Sequence, residues 1–400
     1  MTVVTTRTVG ERKAADVGGA RGLSRERETS VRRGASPGPG ADSKPLRGSE
    51  RPAGRPLGRC FLVINPGSRS GRSREVAALY RKLLAGGVAK DRFTFDYCYT
   101  RDLDHARTLA QDALADGYDT IVAVGGDGTI NRVISAFVDS MADEGRAADG
   151  GGGDPETLGG SGDRIEGARS SGRLHGHVRL GILYSGTSPD FCRFHGIPTD
   201  PVAAVEALCR GSSRPIDVCR ITHRDSFGRT RVDAFACSAN LGLGAGIAAR
   251  ANRLRPRLGD LAGTLLASVI TIAGRGPQRV RLTVDGEEVA VGRALNITVG
   301  KNPHIASGLK LDAKTTAADG RLYVFVICGI GRAGLLSALP RIYSGGIARD
   351  PRFILRYARC VRVEPLEGAL RTEFDGDPAG WCPAEIRIIP KAVRLIGAGS

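Results

Sequence analysis

Short apolar runs alternating with stretches of helical period organise the chain from Cys60 onward. CFLVIN, beginning at Cys60, reads as a short buried strand; a polar loop follows, and Glu75 to Leu84 carries apolar residues at helical spacing. FTFDYCYT, ending at Thr100, predicts a second strand, and Leu103 to Ala115 a second helix. TIVAVGG, ending at Gly126, predicts a third strand, with a third helix opening over Ile130 to Phe137. VRLGILYSGTSPDF adds a strand and a turn, and Pro201 to Cys209 a further helix. Strands alternating with helices imply a parallel sheet with helices on both faces. After Arg214 the pattern changes to PIDVCRITHR, RTRVDAFACSAN, RVRLTVDGEEVAVGRALNITV, RLYVFVICG and CVRVEP, which predict a second, antiparallel β unit. One helix, about Leu258 to Ala273, interrupts it. Its apolar face is expected in the core, with docking to a surface as the alternative.

Two segments break this order. Residues 1–58 are rich in Arg, Gly, Ser and Pro and carry 12 basic against 6 acidic side chains, with little to bury, so a disordered basic tail is expected. The stretch from Asp139 to His177 is dominated by Gly, Asp, Ser and Arg, including Gly150 to Gly153, and is expected to be a disordered insertion. His175 and His177 at its end read as solvated loop histidines. The expected domains are an α/β unit over 59–215, a β-rich unit over 216–382, and a segment over 383–400 returning to the first. The architecture is α/β: a three-layer parallel-sheet domain plus an antiparallel β-sandwich, with a site in the cleft between them.

Charge narrows the possible partners. The formal net charge is +16, yet the aromatic content is only 5% and no stacking motif is interleaved with the basic residues, which argues against nucleic acid. An anionic membrane surface or a phosphate-bearing substrate suits this charge. The nine cysteines are scattered in apolar runs with no Cys-x-x-Cys pair, a pattern of reduced core thiols that points to a cytoplasmic location. The longest apolar run, Leu261 to Ala273, falls short of the roughly 20 residues a spanning helix needs.

In VAVGGDGTINRV, Gly125 and Gly126 stand where a strand ends, and their missing side chains let backbone N–H groups approach a phosphate. The following helix adds its positive end. Thr129 can cap that helix or donate its hydroxyl to a phosphate oxygen. Asp127 is the informative residue, because a carboxylate about 4 Å from a phosphate is repelled by roughly 4 kcal/mol at an effective dielectric near 20. A Mg²⁺ ion, or a proton taken from an attacking hydroxyl, would compensate. No G-x-x-x-x-G-K-[ST] is present, and Gly242, Gly244 and Gly246 lack the third spacing of G-x-G-x-x-G and read as a tight turn. Asp285-Gly286-Glu287 joins two alternating strands and reads as a hairpin turn.

These residues together resemble the diacylglycerol kinase catalytic family, which includes bacterial lipid kinases and sphingosine kinases. Asn65-Pro66-Gly67-Ser68-Arg69-Ser70-Gly71 is similar to the family's Asn-Pro-x-Ser-Gly loop, and Gly125 to Thr129 to its glycine signature. Gly186-Thr187-Ser188-Pro189-Asp190-Phe191-Cys192-Arg193 resembles Gly-Thr-x-Asn-Asp-Phe-Ala-Arg, and Asp375-Gly376-Asp377 stands where the family has Asp-Gly-Glu. Asn240 with Gly242, and Asp319-Gly320, continue the likeness through the β unit. Pro189, Arg69 and Asp377 depart from the pattern.

The resemblance implies an ATP- and Mg²⁺-dependent lipid kinase that phosphorylates a lipid hydroxyl at a membrane surface, diacylglycerol being the first choice of acceptor. It implies nucleotide contacts from Asn65, Thr100, Gly125, Gly126, Asp127, Gly128, Thr129, Thr187 and Asp190. Asp375 and Asp377 are the candidate general bases, with Asp127 and Asp190 assisting through Mg²⁺. Asp319 is expected either to hold a structural Mg²⁺ or to be a turn residue before glycine. A homodimer, an NAD kinase-like activity and a non-catalytic nucleotide- or lipid-binding regulator remain as alternatives.

Overall fold

In a computed structural model of the chain, the described residues are 7–8, 26–28, 57–67, 73–86, 94–149, 177–186, 188–274, 276–305, 309–331, 334 and 352–397. Two short strands, β1 (Arg7–Thr8) and β2 (Glu26–Glu28), pair with each other. Strand β2 also lies antiparallel on β4 (Thr94–Tyr99). The basic tail therefore contributes two strands where none was expected; pairing along a sheet edge uses backbone groups and needs no apolar side chains. The rest of that tail, up to residue 56, lies outside the described residues.

Strands β3 (Arg59–Ile64), β4, β5 (Thr120–Gly125) and β6 (Arg179–Tyr184) form a parallel sheet in the order β4–β3–β5–β6. Their near-continuous apolar runs are what a sheet covered on both faces requires. Phe61, Val63, Ile121 and Ala123 point to one face, where α2 (Leu103–Ala115) and α3 (Asp127–Asp149) supply Leu109, Ala113, Ile130 and Ile134. Leu62, Ile64, Val122 and Val124 point to the other, where α1 (Ser73–Ala85) and α5 (Pro201–Arg210) supply Tyr80, Leu84, Ala204 and Leu208. Caps set the helix starts: Asp102 accepts from His105 N at 2.7 Å, and Asp200 accepts from Val202 N and Ala203 N ahead of Pro201. Helix α3 runs to Asp149, well into the segment expected to be disordered from Asp139 onward. Once its start is fixed by the preceding loop, Met141, Ala142, Glu144, Ala147 and Ala148 are good helix formers that propagate it. Residues 150–176, including His175, lie outside the described residues, and His177 is exposed.

The second unit is an antiparallel sandwich. One ladder runs β16 (Phe353–Ala358), β15 (Leu322–Cys328), β12 (Arg293–Gly300), β9 (Ser238–Gly242) and β18 (Arg371–Phe374). The other runs β10 (Gln278–Val284), β17 (Cys360–Pro365), β19 (Asp377–Ile396), β7 (Ser213–Arg224) and β8 (Thr230–Phe235). Phe235, Leu241, Ile297, Val299, Val324, Val361, Val363 and Ile386 fill the core between them. The long β19 starts beside β18, crosses the second ladder, and ends parallel to β6 of the first unit through Arg394 and Leu395. A separate short pair joins β13 (His304–Ile305) to β14 (Leu309–Lys310), and all nine cysteines are free thiols. The Asp285-Gly286 turn, with φ of 49° and 92°, joins β10 to β11 (Glu287–Val289) as a two-residue hairpin.

Two helices, not one, interrupt the sandwich: α6 (Leu243–Leu258) and α7 (Asp260–Gly274). Gly242, with φ 116°, makes the turn out of β9, but Gly244 and Gly246 belong to the first turns of α6. A side chain at Gly244 would meet Asn240 at 2.9 Å, so the glycine there serves close packing. The face of α7 expected in the core is exposed at Leu265, Leu266, Val269 and Ile270. Its small residues Gly263 and Ala267 are buried instead, since they let α6 approach closely. Among the described residues no helix is long and apolar enough to cross a membrane.

Candidate active site at the junction of the two units

After β3 the chain moves to β4 on one side, then returns to β5 on the other side of β3, so the order reverses between β3 and β5. The crevice beyond the carboxyl ends of the strands at such a reversal is where open α/β sheets bind ligands. Asn65 ends β3 there. Its amide donates to Val124 O at 2.9 Å, its Nδ2 to Thr129 Oγ1 at 2.9 Å, and its Oδ1 accepts from Gly67 N at 2.9 Å. One side chain thus ties the loop after β3 to the glycine loop after β5. Thr100, buried at the end of β4, donates its amide to Ile64 O at 2.8 Å.

The glycines are demanded by space. A Cβ on Gly125 would fall 2.4 Å from Thr129 Oγ1, and one on Gly126 would fall 3.2 Å from the Cα of Gly186. The loops after β5 and β6 are pressed backbone to backbone, with Ser185 N donating to Gly125 O. Thr129 is buried and its amide bonds Gly126 O at 2.9 Å, closing the first turn of α3. Thr187 and the segment Ser68 to Gly71 lie outside the described residues.

Asp127 opens α3. Burial first, then the charges of Asp375 and Asp190, push its carboxyl well above the ordinary range. Its Oδ1 is buried with no hydrogen-bond partner. A buried acceptor left unpaired in the isolated chain is costly, so this oxygen is poised for a proton or a cation. Asp190 starts α4 (Asp190–His195), where its carboxylate accepts from Ser188 Oγ at 3.3 Å and from Arg193 at 3.4 Å. Its carbonyl accepts from Asn302 Nδ2 at 2.7 Å. Fully buried Asn302 therefore pins the loop of the first unit to the second.

The second unit brings the β18–β19 turn into the same place. Asp375 (φ 50°) and Gly376 (φ 89°) make the turn, and both Asp375 oxygens are held by backbone amides: Oδ1 by Cys237 and Ser238 at 3.0 Å, Oδ2 by Ala236 at 3.1 Å. Burial raises its pKa to about 6 against those donors. Asp377, half-buried, points at the glycine loop, where a Cβ on Gly128 would lie 3.2 Å from its Oδ2. The structure thus gathers Asn65, Thr100, Gly125 to Thr129, Asp190, Asp375 and Asp377 around one crevice.

Sequence reasoning missed two contributors, Glu373 and Asn302. Glu373 is buried; it accepts from Asn240 Nδ2 at 2.8 Å and from Gly376 N at 2.5 Å, and burial lifts its pKa to about 7. Acid residues at 373, 375 and 377 alternate at strand period, a signal that could have exposed it. Asn240 is fixed in turn by Thr298 Oγ1 at 2.8 Å and Asn296 Nδ2 at 3.2 Å. Asn302 follows a buried strand and gave no pattern.

Asp319 lies apart from this crevice. Lys301, itself 1% exposed, sets its ammonium between Asp319 and Asp217, at 2.7 Å from the latter, and donates to Arg321 O at 2.9 Å. The Lys301 ammonium group pairs with Asp319, so a Mg²⁺ ion at that carboxylate, one of the two expectations for it, would have to compete with a bound cation. No cluster of three or more His, Cys, Asp or Glu side chains suited to a metal occurs among the described residues.

Fold and crevice together define a kinase-type phosphotransferase of two units, with a glycine loop from one facing acidic residues from the other. Residues 59–221 match the family described as "Diacylglycerol kinase catalytic domain", and residues 237–397 match "YegS C-terminal NAD kinase beta sandwich-like domain". The chain belongs to this diacylglycerol kinase catalytic family of lipid kinases. It is 27% identical over 346 residues to "Probable lipid kinase YegS-like" of Pseudomonas aeruginosa, covering 85% of this chain and 95% of that protein. It is 25% identical over 296 residues to a diacylglycerol kinase of Mycobacterium tuberculosis, covering 74% and 82%. A crystal structure of a diacylglycerol kinase from Bacillus anthracis shares the fold at a TM-score of 0.59 and 19% identity, covering 84% of this chain and 96% of that one.

Proposed function

We propose that this chain transfers the γ-phosphate of ATP to the free hydroxyl of diacylglycerol, giving phosphatidic acid, while attached peripherally to a membrane in the cytoplasm. The observation that carries the reading is the approach of Asp377 to Gly128, which sets an acidic side chain of one unit against the phosphate loop of the other. The first-turn amides of α3, with no side chain at Gly128 to shield them, can meet phosphate oxygens, and the positive end of the helix adds to their pull. Asn65 and Thr100 shape the adjacent wall. The proton acceptor in this reading is Asp377, because its carboxylate faces the glycine loop, while both Asp375 oxygens are held by amides. Asp375 is then a positioning residue that fixes the turn.

The donor set fits a magnesium ion arriving with the nucleotide. Asp127, through its unpaired Oδ1, and Asp190 would hold it. Bound there, the ion would neutralise charge on the transferring phosphoryl group. The lipid hydroxyl oxygen attacks the γ-phosphorus, its proton passes to Asp377, and the bond from γ-phosphorus to the bridging oxygen breaks to release ADP. Holding both reactants in line supplies most of the acceleration, since phosphoryl transfer asks little covalent chemistry of the protein.

Incubation of the purified protein with Mg-ATP and a mixed lipid extract, followed by mass spectrometry, tests the reaction and the acceptor together. Phosphatidic acid is the expected new product. A different phosphorylated lipid would move the assignment to that acceptor, and ATP bound with no phosphorylated lipid would overturn it.

A further inference from the structure

Among its described side chains, helix α7 buries one large apolar group, Ile272, and otherwise turns small residues inward. Against α6 it buries Gly263, Ala267 and Thr271, while Thr264 and Ser268 are half-buried beside them. A Cβ on Gly263 would fall 2.8 Å from the Arg255 backbone nitrogen, so the two helices touch along small residues. Polar contacts line the same seam: Arg255 Nε donates to Thr264 Oγ1 at 3.0 Å, and Thr271 Oγ1 donates to Ala267 O at 2.6 Å. The outward positions are Ala262, Leu265, Leu266, Val269, Ile270 and Ala273, all exposed and spaced as one helical stripe. Leu265 and Val269 are 51% and 50% exposed. A helix packed on a water-soluble body normally shows water the opposite face. Leu258, at the end of α6, extends the patch.

Charge says what covers it. Between Leu243 and Gly274 the chain carries Arg250, Arg253, Arg255 and Arg257 against one acid, Asp260, and Arg253 and Arg257 are exposed. A second copy laid on the same patch would bring arginines against arginines, which is unfavourable. An anionic lipid surface accepts both the apolar stripe and the basic rim, and the chain as a whole is +16. The hairpin also touches the crevice, because Asn252 Nδ2 donates to Gly376 O at 3.3 Å, at the turn bearing Asp375 and Asp377.

We propose that the α6–α7 hairpin is the membrane-docking element, with Leu265, Leu266, Val269 and Ile270 entering the acyl boundary and Arg253 and Arg257 meeting anionic headgroups. It deepens the lipid-kinase reading and rests on it for its purpose: docking sets the Asp377 turn beside the bilayer, within reach of a lipid hydroxyl.

Flotation of the full chain with vesicles of phosphatidylcholine, alone or containing phosphatidylglycerol, tests it. The wild type floats with the anionic vesicles. The combined Leu265→Gln, Leu266→Gln, Val269→Gln and Ile270→Gln variant loses at least tenfold in binding with its thermal midpoint unlowered, because these side chains are exposed. Arg253→Gln with Arg257→Gln removes the preference for anionic vesicles. Undiminished flotation of the four-site variant overturns the proposal, as does a wild-type dimer in sedimentation that this variant dissociates, since a second copy would then cover the stripe. Phosphorylation of a short-chain diacylglycerol dispersed in water, without vesicles, reports on the kinase reading separately: its absence from the wild type sinks that reading whatever the flotation shows.

Discussion

At the scale of single residues, the crevice is decided by which side chains cannot be larger and which charges are left open. Gly125 has no room for a methyl group beside Thr129, so Gly125→Ala is expected to displace the Asn65–Thr129 bond and weaken nucleotide binding at least tenfold, read by calorimetric titration with ATP. The buried carboxylates give a pH signature. Glu373 and Asp375 have pKa values of about 7 and about 6 in the folded chain, against ordinary values of 4.5 and 3.8. The folded state holds these protons more tightly than the unfolded chain does. Their contribution to stability is therefore full below about pH 4 and is lost as pH rises toward 7. In Glu373→Gln the fall in unfolding midpoint between pH 4.5 and 7 should shrink; an unchanged pH profile would show that Glu373 is not the group responsible.

At the scale of elements, the internal cation at Lys301 is the most exacting joint. Asp217 accepts from its ammonium, from Gly320 N at 2.7 Å and from Lys391 N at 2.8 Å, which binds β7, the turn before β15 and the bend in β19 together. Lys301→Met would leave two carboxylates without their cation and should cost about 3 kcal/mol in urea unfolding; a loss near zero would contradict this role. The strands β3, β5 and β17 were legible because each is an unbroken apolar or alternating run between clear turn residues. Strand β19 was not read as a strand, only as a segment over 383–400 returning to the first unit, since Pro383 and Pro390 fall in its two register shifts, at bulges where proline is tolerated. Helix α6 was hidden by Gly244, Gly246 and Pro256, and the inward face of α7 by its small residues. In the site, loop glycines and Asp127 declared themselves through their position at a strand end. Glu373 and Asn302 did not, because their roles arise from contacts far apart in sequence.

At the scale of the whole molecule, the two units are joined where the crevice opens, and buried charge holds the joint. Asp233 of β8 accepts from Arg107 of α2 at 2.8 Å, from Arg231 at 2.9 Å and pairs with His223 at 3.0 Å. Burial alone would raise its pKa, but His223, Arg231 and Arg107 hold it below the ordinary range. Arg107→Leu removes one of these partners and the contacts to Asp139, and should destabilise the chain by about 2 kcal/mol in urea unfolding. The same joint presents Gly128 to Asp377, and on that meeting the account depends. The direct test is transfer of labelled γ-phosphate from ATP to diacylglycerol by the wild type and by Asp377→Asn, with ATP affinity measured in parallel. Transfer by the wild type, a loss of at least a hundredfold in Asp377→Asn and unchanged ATP affinity are predicted. No transfer by the folded wild type, or undiminished transfer by Asp377→Asn, would contradict the account.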